Sequence, residues 1–265
     1  MSKIVLITGG ASGIGKATAT EFRKLGYTVI SYARELDDEY PDYSYIGDVS
    51  NEAQVKSFIE VIANKYGKID ILVNNAGFGV NGALELIPSD VFDNIMDVNI
   101  KGAYLVTKYS LPLMSRGGKI INISSVSGVF ASPFRSLYCF SKSALLMLTL
   151  CERMELEQAG IDVCAICPGE VKTGFMKKRV RITETNERYG RQVENMYAFL
   201  DKHDEGKRMP PSKVAMAIVK QAKRKKSKPF KIIGVPFKFM YAGIKLLPTS
   251  LVLKVTNKFM GGGKI

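Results

Sequence analysis

No apolar stretch in the chain approaches the ~18 residues that a membrane-spanning helix needs. The run Ile4–Ile7, directly after Met1-Ser2-Lys3, is too short for a signal-peptide core. Four cysteines are few for 265 residues and suit a reducing, cytoplasmic setting. There is one histidine, His203 in the polar "LDKHDEG", so metal chemistry has little to draw on. Cys164-Ala-Ile-Cys167 has redox-motif spacing, but "IDVCAICPG" reads as a strand, where positions three apart point to opposite faces. Two buried thiols are expected there, and no metal. Repeats, low-complexity blocks and a Pro/Gly/Ser linker are all missing, which leaves one domain over 1–265, with only Gly261–Gly263 reading as a loose tail.

What is present is an ordinary globular composition, 46% apolar and 24% charged, with a net charge of +13. Part of that charge is the run Lys223-Arg224-Lys225-Lys226-Ser227-Lys228. Such a run can attract nucleic acid or an anionic membrane; it also suits the solvated carboxyl end of a helix. No aromatic-interleaved or other nucleic-acid motif accompanies it, so the helix end is expected and a nucleic-acid partner is not.

Strand-like and helix-like segments alternate. Strands are predicted at 3–8, 27–33, 43–48, 119–124 and 161–167, a strand followed by a turn at 69–77, and a last strand in "PFKIIGV". Helices are predicted at 13–26, 51–67 (capped by Ser50 or Asn51), roughly 88–116, 138–159 and from 211 onward. Apolar runs without alternation imply strands covered on both faces. Helical connections of this length imply right-handed crossovers and a mainly parallel sheet. The expected fold is α/β, a doubly wound Rossmann-type sheet, whose ligands bind beyond the carboxyl ends of the strands.

The loop after the first strand is "TGGASGIG", Thr8–Gly15. Its glycines permit a tight turn, close approach of a pyrophosphate to the backbone and close helix packing. The spacing G-x-x-x-G-x-G differs from the usual dinucleotide fingerprint. No Gly-Lys-Ser/Thr follows, so it is not a nucleotide-triphosphate loop.

With this loop stand "NNAG" at 74–77, "ISS" at 123–125, "YCFSK" at 138–142 and "PGEVKT" at 168–173. Five motifs in this order resemble those of the short-chain dehydrogenase/reductase family over about residues 3–175, with loops similar to its hydroxysteroid and retinol dehydrogenase branches. The resemblance implies a nicotinamide cofactor held by Thr8, Gly9, Ser12, Gly13, Ile14, Gly15, Asp48, Asn75, Ala76, Gly77, Tyr138, Lys142, Pro168, Gly169, Val171 and Thr173. Asp48 in "IGDVS" would contact adenine, although a plain helix cap competes for it.

Tyr-x-x-x-Lys occurs three times, at Tyr104/Lys108, Tyr138/Lys142 and Tyr241/Lys245. Only Tyr138 has a serine thirteen residues upstream: Ser125, at the carboxyl end of a strand. A tyrosine of pKa ~10 is a poor base unless a nearby cation favours the phenolate. Lys142, at i+4, shares its helix face and can supply that charge. Ser125 can hydrogen-bond the substrate oxygen. The resemblance adds that Lys142 holds the nicotinamide ribose and that Asn99, in "MDVNIKG", positions the lysine through water. A cofactor-sensing protein without turnover is the rival class, but such proteins commonly lose one of the three side chains kept here.

At the end of the second strand the position of the ribose-binding acid falls on Ala33, followed by Arg34. A neutral residue and an arginine suit a 2′-phosphate, so NADP(H) is favoured over NAD(H), although Glu35 stands close by. The segment 174–210 should form a helical substrate lid with Phe175, Met176, Tyr189, Met196, Tyr197 and Phe199, joined by Phe78, Val80, Phe130 and Phe134. That lining is expected to take a hydrophobic alcohol or ketone such as a steroid or bile acid, a retinoid or a long-chain carbonyl. The extension 236–265 reads as two amphipathic helices broken at Pro248, with lysines among apolar residues. Three roles remain open for it: packing on its own domain, completing a homodimer or homotetramer, or lying on a membrane surface.

Overall fold

A computed structural model describes residues 2–176, 178–204 and 208–259. The side chains of Met176, Phe199 and His203 and the tail Gly261–Gly263 lie outside the described residues. The elements follow in the order β1 (Ile4–Thr8), α1 (Gly13–Arg23), β2 (Thr28–Ala33), β3 (Ser44–Ile46), α2 (Glu52–Tyr66), β4 (Ile71–Asn74), β5 (Val80–Asn81), α3 (Ser89–Met96) and α4 (Gly102–Ser110). Then come β6 (Lys119–Ile123), α5 (Ser136–Glu155), β7 (Asp162–Pro168), β8 (Val180–Arg181), α6 (Gln192–Asp204), α7 (Pro211–Ala222), β9 (Phe230–Ile233), α8 (Val235–Leu246) and α9 (Thr249–Phe259).

Every residue of β1 is buried because both faces of the strand are covered. Ile4 and Leu6 join a core with Phe58 and Ile62 of α2, while Val5 and Ile7 join one with Phe22 of α1 and Ile218 of α7. Seven parallel strands follow the order β3-β2-β1-β4-β6-β7-β9. The chain runs outward from β1 through β2 to β3, then returns to the other side of β1 at β4. That reversal opens a crevice between the carboxyl ends of β1 and β4. Cys164 and Cys167 face opposite cores, and burial pushes their thiols up to about 11 and about 12.

Local chemistry sets the boundaries. Asn51 caps α2 by accepting from Gln54 N at 3.1 Å, and Gly67 ends it in the left-handed region (φ 69°). The long helix expected over 88–116 is present as one helical run, its backbone staying in the right-handed helical region at Asp97 and Gly102 where its segments join. A π-turn at Asp97–Lys101 links α3 to α4, and a 3₁₀ turn containing Pro112 closes the segment. The extra residue of a π-turn leaves composition and polarity unchanged, so the pattern cannot register it. The strand-and-turn expected at 69–77 is a strand to Asn74, after which Asn75–Gly77 leave the sheet at the crevice. The basic run at 223–228 follows the end of α7; there Lys226 pairs with Glu157 (2.9 Å) and the Lys225 carbonyl accepts from Lys119 Nζ (3.1 Å).

Candidate active site

A cleft of about 540 Å³ lies over the carboxyl ends of β1, β4, β6 and β7. Its first wall is the loop between β1 and α1. Gly9 (φ 65°) and Gly13 (φ 54°) adopt backbone conformations that strain any residue with a Cβ. Ser12 makes no side-chain cap and the first turn of α1 holds no acid, so its N–H groups stay open to the cleft. An anion such as a pyrophosphate fits that helix end. Gly9, Ser12, Gly13, Ile14, Asn75, Ala76 and Gly77 line the cleft as expected.

Thr8 and Gly15 do not. The Thr8 hydroxyl accepts from the backbone N of Asn75 (2.9 Å) and Ala76 (3.0 Å), while Asn75 Nδ2 donates to the Thr8 and Gly9 carbonyls. A Cβ at Gly15 would strike the Gly9 carbonyl. Both residues hold the loop from behind. Asp48 lines the cleft and also accepts from Ser50 N (2.9 Å) and Ser50 Oγ (2.7 Å). Its turn-forming role is therefore real, but the helix cap itself is Asn51. Arg34 and Glu35 are exposed at the end of β2 and border the cleft; Glu35 is drawn to Lys178, 2.9 Å away. Pro168, Gly169, Val171 and Thr173 form the wall after β7.

Ser125, Tyr138 and Lys142 all reach this cleft and are buried. Ser125 stands one residue past Ser124 at the end of β6, and its Oγ accepts from Ser127 N at 3.1 Å. Ser124 Oγ donates to the Lys142 carbonyl (2.8 Å), fastening the strand end to α5. Lys142 Nζ donates to the Ile123 carbonyl (2.9 Å). Asn99, fully buried in the π-turn, does not line the cleft. It accepts from Phe78 N (3.0 Å) and donates to the Phe78 carbonyl (2.9 Å) and Ser141 Oγ (3.0 Å). It thus clamps the Gly77–Phe78 turn to α5 and acts on the site by positioning. The other two Tyr-x-x-x-Lys pairs stack lysine over tyrosine on helices, at 5.8 Å for Lys108 and 5.0 Å for Lys245.

Burial pushes the Tyr138 phenol above its ordinary value, while the Ser125 hydroxyl and the charges of Arg135 and Arg179 pull it back. Burial pushes Lys142 down to about 8. Arg135 and Arg179 are among the charges that draw the phenol down, and the Lys142 ammonium donates to the Ile123 carbonyl.

The far end of the cleft also differs from expectation. Phe78, Phe130 and Phe175 line it, with the Phe175 ring 5.9 Å from that of Tyr138. Val80 instead packs with Ile95 and Leu137. Phe134, Tyr189, Met196 and Tyr197 form a separate small core with Ala83 and Val193. The Tyr197 hydroxyl donates to the Asn81 and Ile182 carbonyls, so the apolar face of α6 is consumed in packing against the segments around β5 and β8. Residues not foreseen complete the wall: Arg135, Arg179, Arg208, Phe237, Met240 and Thr256. Arg135 lies 5.4 Å from the Tyr138 ring centre. Arg179 is buried, and burial followed by the charge of Arg135 lowers it to about 10. With the Asn81 amide oriented to satisfy both its atoms, Arg179 Nη1 donates to it at 3.0 Å. Arg135 sits in the very loop that precedes Tyr138, a signal that sequence reading passed over in favour of the aromatics.

A doubly wound parallel sheet, with a glycine-walled crevice and a buried serine–tyrosine–lysine group at its floor, defines a dinucleotide-dependent oxidoreductase fold. The short chain dehydrogenase family profile matches residues 3–184, and the chain belongs to that family. It is 35% identical over 228 residues to the 3-ketodihydrosphingosine reductase of Bacteroides thetaiotaomicron, covering 84% of each chain. Two solved structures share its architecture. One is a 3-ketoacyl-(acyl-carrier-protein) reductase from Brucella melitensis complexed with NADH (TM-score 0.72, 26% identity, 87% of this chain and 96% of that one). The other is ElxO with NADP bound (TM-score 0.71, 31% identity, 88% and 96%).

Proposed function

We propose that the protein is an NADP(H)-preferring oxidoreductase that interconverts a secondary alcohol and a ketone on a largely apolar substrate. One observation carries this: Ser125, Tyr138 and Lys142 converge in a single cleft with the open amino end of α1. A bound nicotinamide supplies or accepts the hydride. Tyr138 then moves the proton to or from the substrate oxygen, and Ser125 hydrogen-bonds that oxygen as charge develops on it. Lys142 is placed to hold the cofactor ribose.

The preference for NADP(H) is supported by Ala33 and Arg34 at the end of β2 and by the pairing of Glu35 with Lys178, which leaves Arg34 to meet a 2′-phosphate. Relatives of similar fold carry either cofactor, so steady-state efficiency with both is the measurement that decides. Arg34→Ala is expected to weaken NADPH about tenfold and leave NADH unchanged. Equal or better use of NADH by the unaltered enzyme defeats the preference.

For the substrate, Phe78, Phe130 and Phe175 favour an apolar body, while Arg135, Arg179 and Arg208 favour an acidic group on it. A bile acid meets both conditions better than a neutral steroid. Similarity to a 3-ketodihydrosphingosine reductase supports a second reading, a long-chain aliphatic ketone. NADPH oxidation measured against bile-acid, neutral steroid and aliphatic ketone panels separates them. Turnover confined to small polar sugars removes both, and dinucleotide binding without any turnover makes the protein a sensor.

A further inference from the structure

The positive charge of the chain is not spread evenly. Residues 1–205 carry 23 lysines and arginines against 25 acids, whereas residues 206–265 carry 15 lysines and arginines and no acid at all. The chain's whole excess of charge therefore belongs to its carboxyl-terminal part. Within that part, α8 and α9 follow one another across Pro248.

Two faces of α8 have different fates. Phe237 and Tyr241 point inward and pack with Phe230 and Ile232 of β9, the Tyr241 ring lying edge-on to Phe230 at 5.7 Å. Val235, Phe239, Ala242 and Leu246 recur at helical spacing on the opposite side, and all are exposed. Phe239 is 76% exposed and Leu246 85%, values far from those of residues packed on their own domain. Lys238 and Lys245 flank this stripe. On α9, Leu251 and Val255 share an exposed face with Lys254 and Lys258.

We infer that the exposed face of α8 and α9 docks on an anionic lipid bilayer, lying in the interface with its lysines at the headgroups. An amphipathic helix binds such a surface through buried apolar area together with attraction of its cations. Charge decides against a second copy of the chain as the occupant. A two-fold interface through this face would set its four lysines against four more, with no acid on either side. Nor does either helix cross the bilayer: among the described residues, no helix is long and apolar enough to do so. The docked face adjoins the cleft, because Phe237, Met240 and Thr256 of the same two helices form part of its wall. An apolar compound dissolved in the bilayer would therefore meet the cleft at the membrane surface. Docking itself stands apart from the substrate proposed above and goes beyond it.

Flotation of the full chain with vesicles of phosphatidylglycerol and phosphatidylcholine, beside vesicles of phosphatidylcholine alone, tests this. Binding is expected only to the anionic vesicles and should weaken as salt rises. Lys245→Glu and Lys258→Glu should each lower the affinity at least fivefold, and the double variant Phe239→Ser/Leu246→Ser about tenfold. None of these four residues lines the cleft, so thermal unfolding and NADPH titration of the variants should match the parent and show that they fold. Two results overturn the inference: no binding to anionic vesicles, or binding that all the variants retain. A third does so too, namely a dimer in solution that dissociates in Phe239→Ser/Leu246→Ser while vesicles capture neither form.

Discussion

At the dinucleotide end the cleft is walled by backbone. Gly9 and Gly13 are held at positive φ, and the open N–H groups of α1 carry the affinity for an anion. At the opposite end the wall is side chains drawn from distant segments: Phe78 after β4, Arg135 before α5, Arg179 in the lid, and Phe237 and Thr256 from the last two helices. Tyr138 stands at the seam. Backbone walls can serve only one kind of ligand group, since their shape follows from turn geometry. Side-chain walls can be refitted one residue at a time without disturbing the sheet.

If the seam is where the two ends act together, its loss should be the most costly change in the molecule. Tyr138→Phe removes the proton donor while keeping the ring against Phe175. Turnover is expected to fall about 10³-fold, with NADPH affinity within about twofold of the parent. Single-turnover rates and fluorescence titration of NADPH measure the two separately. A loss of cofactor binding as large as the loss of turnover would mean that Tyr138 builds the dinucleotide end and does not carry the chemistry.

The next largest effect should come from placing one methyl group in the backbone wall. In Gly15→Ala the new Cβ meets the Gly9 carbonyl, a backbone atom that must shift to admit it. Overpacking of this kind costs about 2 kcal/mol. Where that strain shifts the amide groups at the end of α1, we expect NADPH binding to weaken by up to roughly thirtyfold. Isothermal titration checks it, and unchanged affinity would show that the loop is free to relax and is less rigid than its contacts indicate.

The same contrast explains what could be read from sequence. The strands, the glycine loop, Ser125, Tyr138 and Lys142 were legible because each requirement is local: an apolar run covered on both sides, a turn without Cβ, an i+4 pair behind a strand end. Thr8, Gly15 and Asn99 stand in the expected neighbourhood, and their contacts to the Gly9, Asn75 and Phe78 backbone are of a kind that spacing does not carry. The π-turn around Asn99 left no mark in the hydrophobic pattern. At the substrate end the failure was larger. Tyr189, Met196 and Tyr197 have the composition of a lining, yet they pack in a separate small core. Arginines from residues 135, 179 and 208 meet only in three dimensions, which a single sequence cannot show.

Those arginines give the mildest and most discriminating test of the comparison. Arg179→Met keeps an unbranched stem and removes the guanidinium and its charge from the wall beside Tyr138. For an acidic substrate KM should rise about tenfold, the scale of one charge-assisted hydrogen bond, while a neutral ketone and NADPH should be nearly indifferent. The pH profile supplies an independent sign. Burial raises the phenol, and Arg179 is one of the groups that pull it down, so removing the guanidinium lets it rise further. Alcohol oxidation uses the phenolate as base; its rate should therefore climb at higher pH in the variant than in the parent. A shift in the opposite direction, or none together with an unchanged KM, would mean that Arg179 serves the lid through Asn81 and has no part at the substrate end. A shift of the profile without a change in KM would separate the two roles, leaving the arginine acting on the proton carrier alone and the acidic group of the substrate to Arg135 or Arg208.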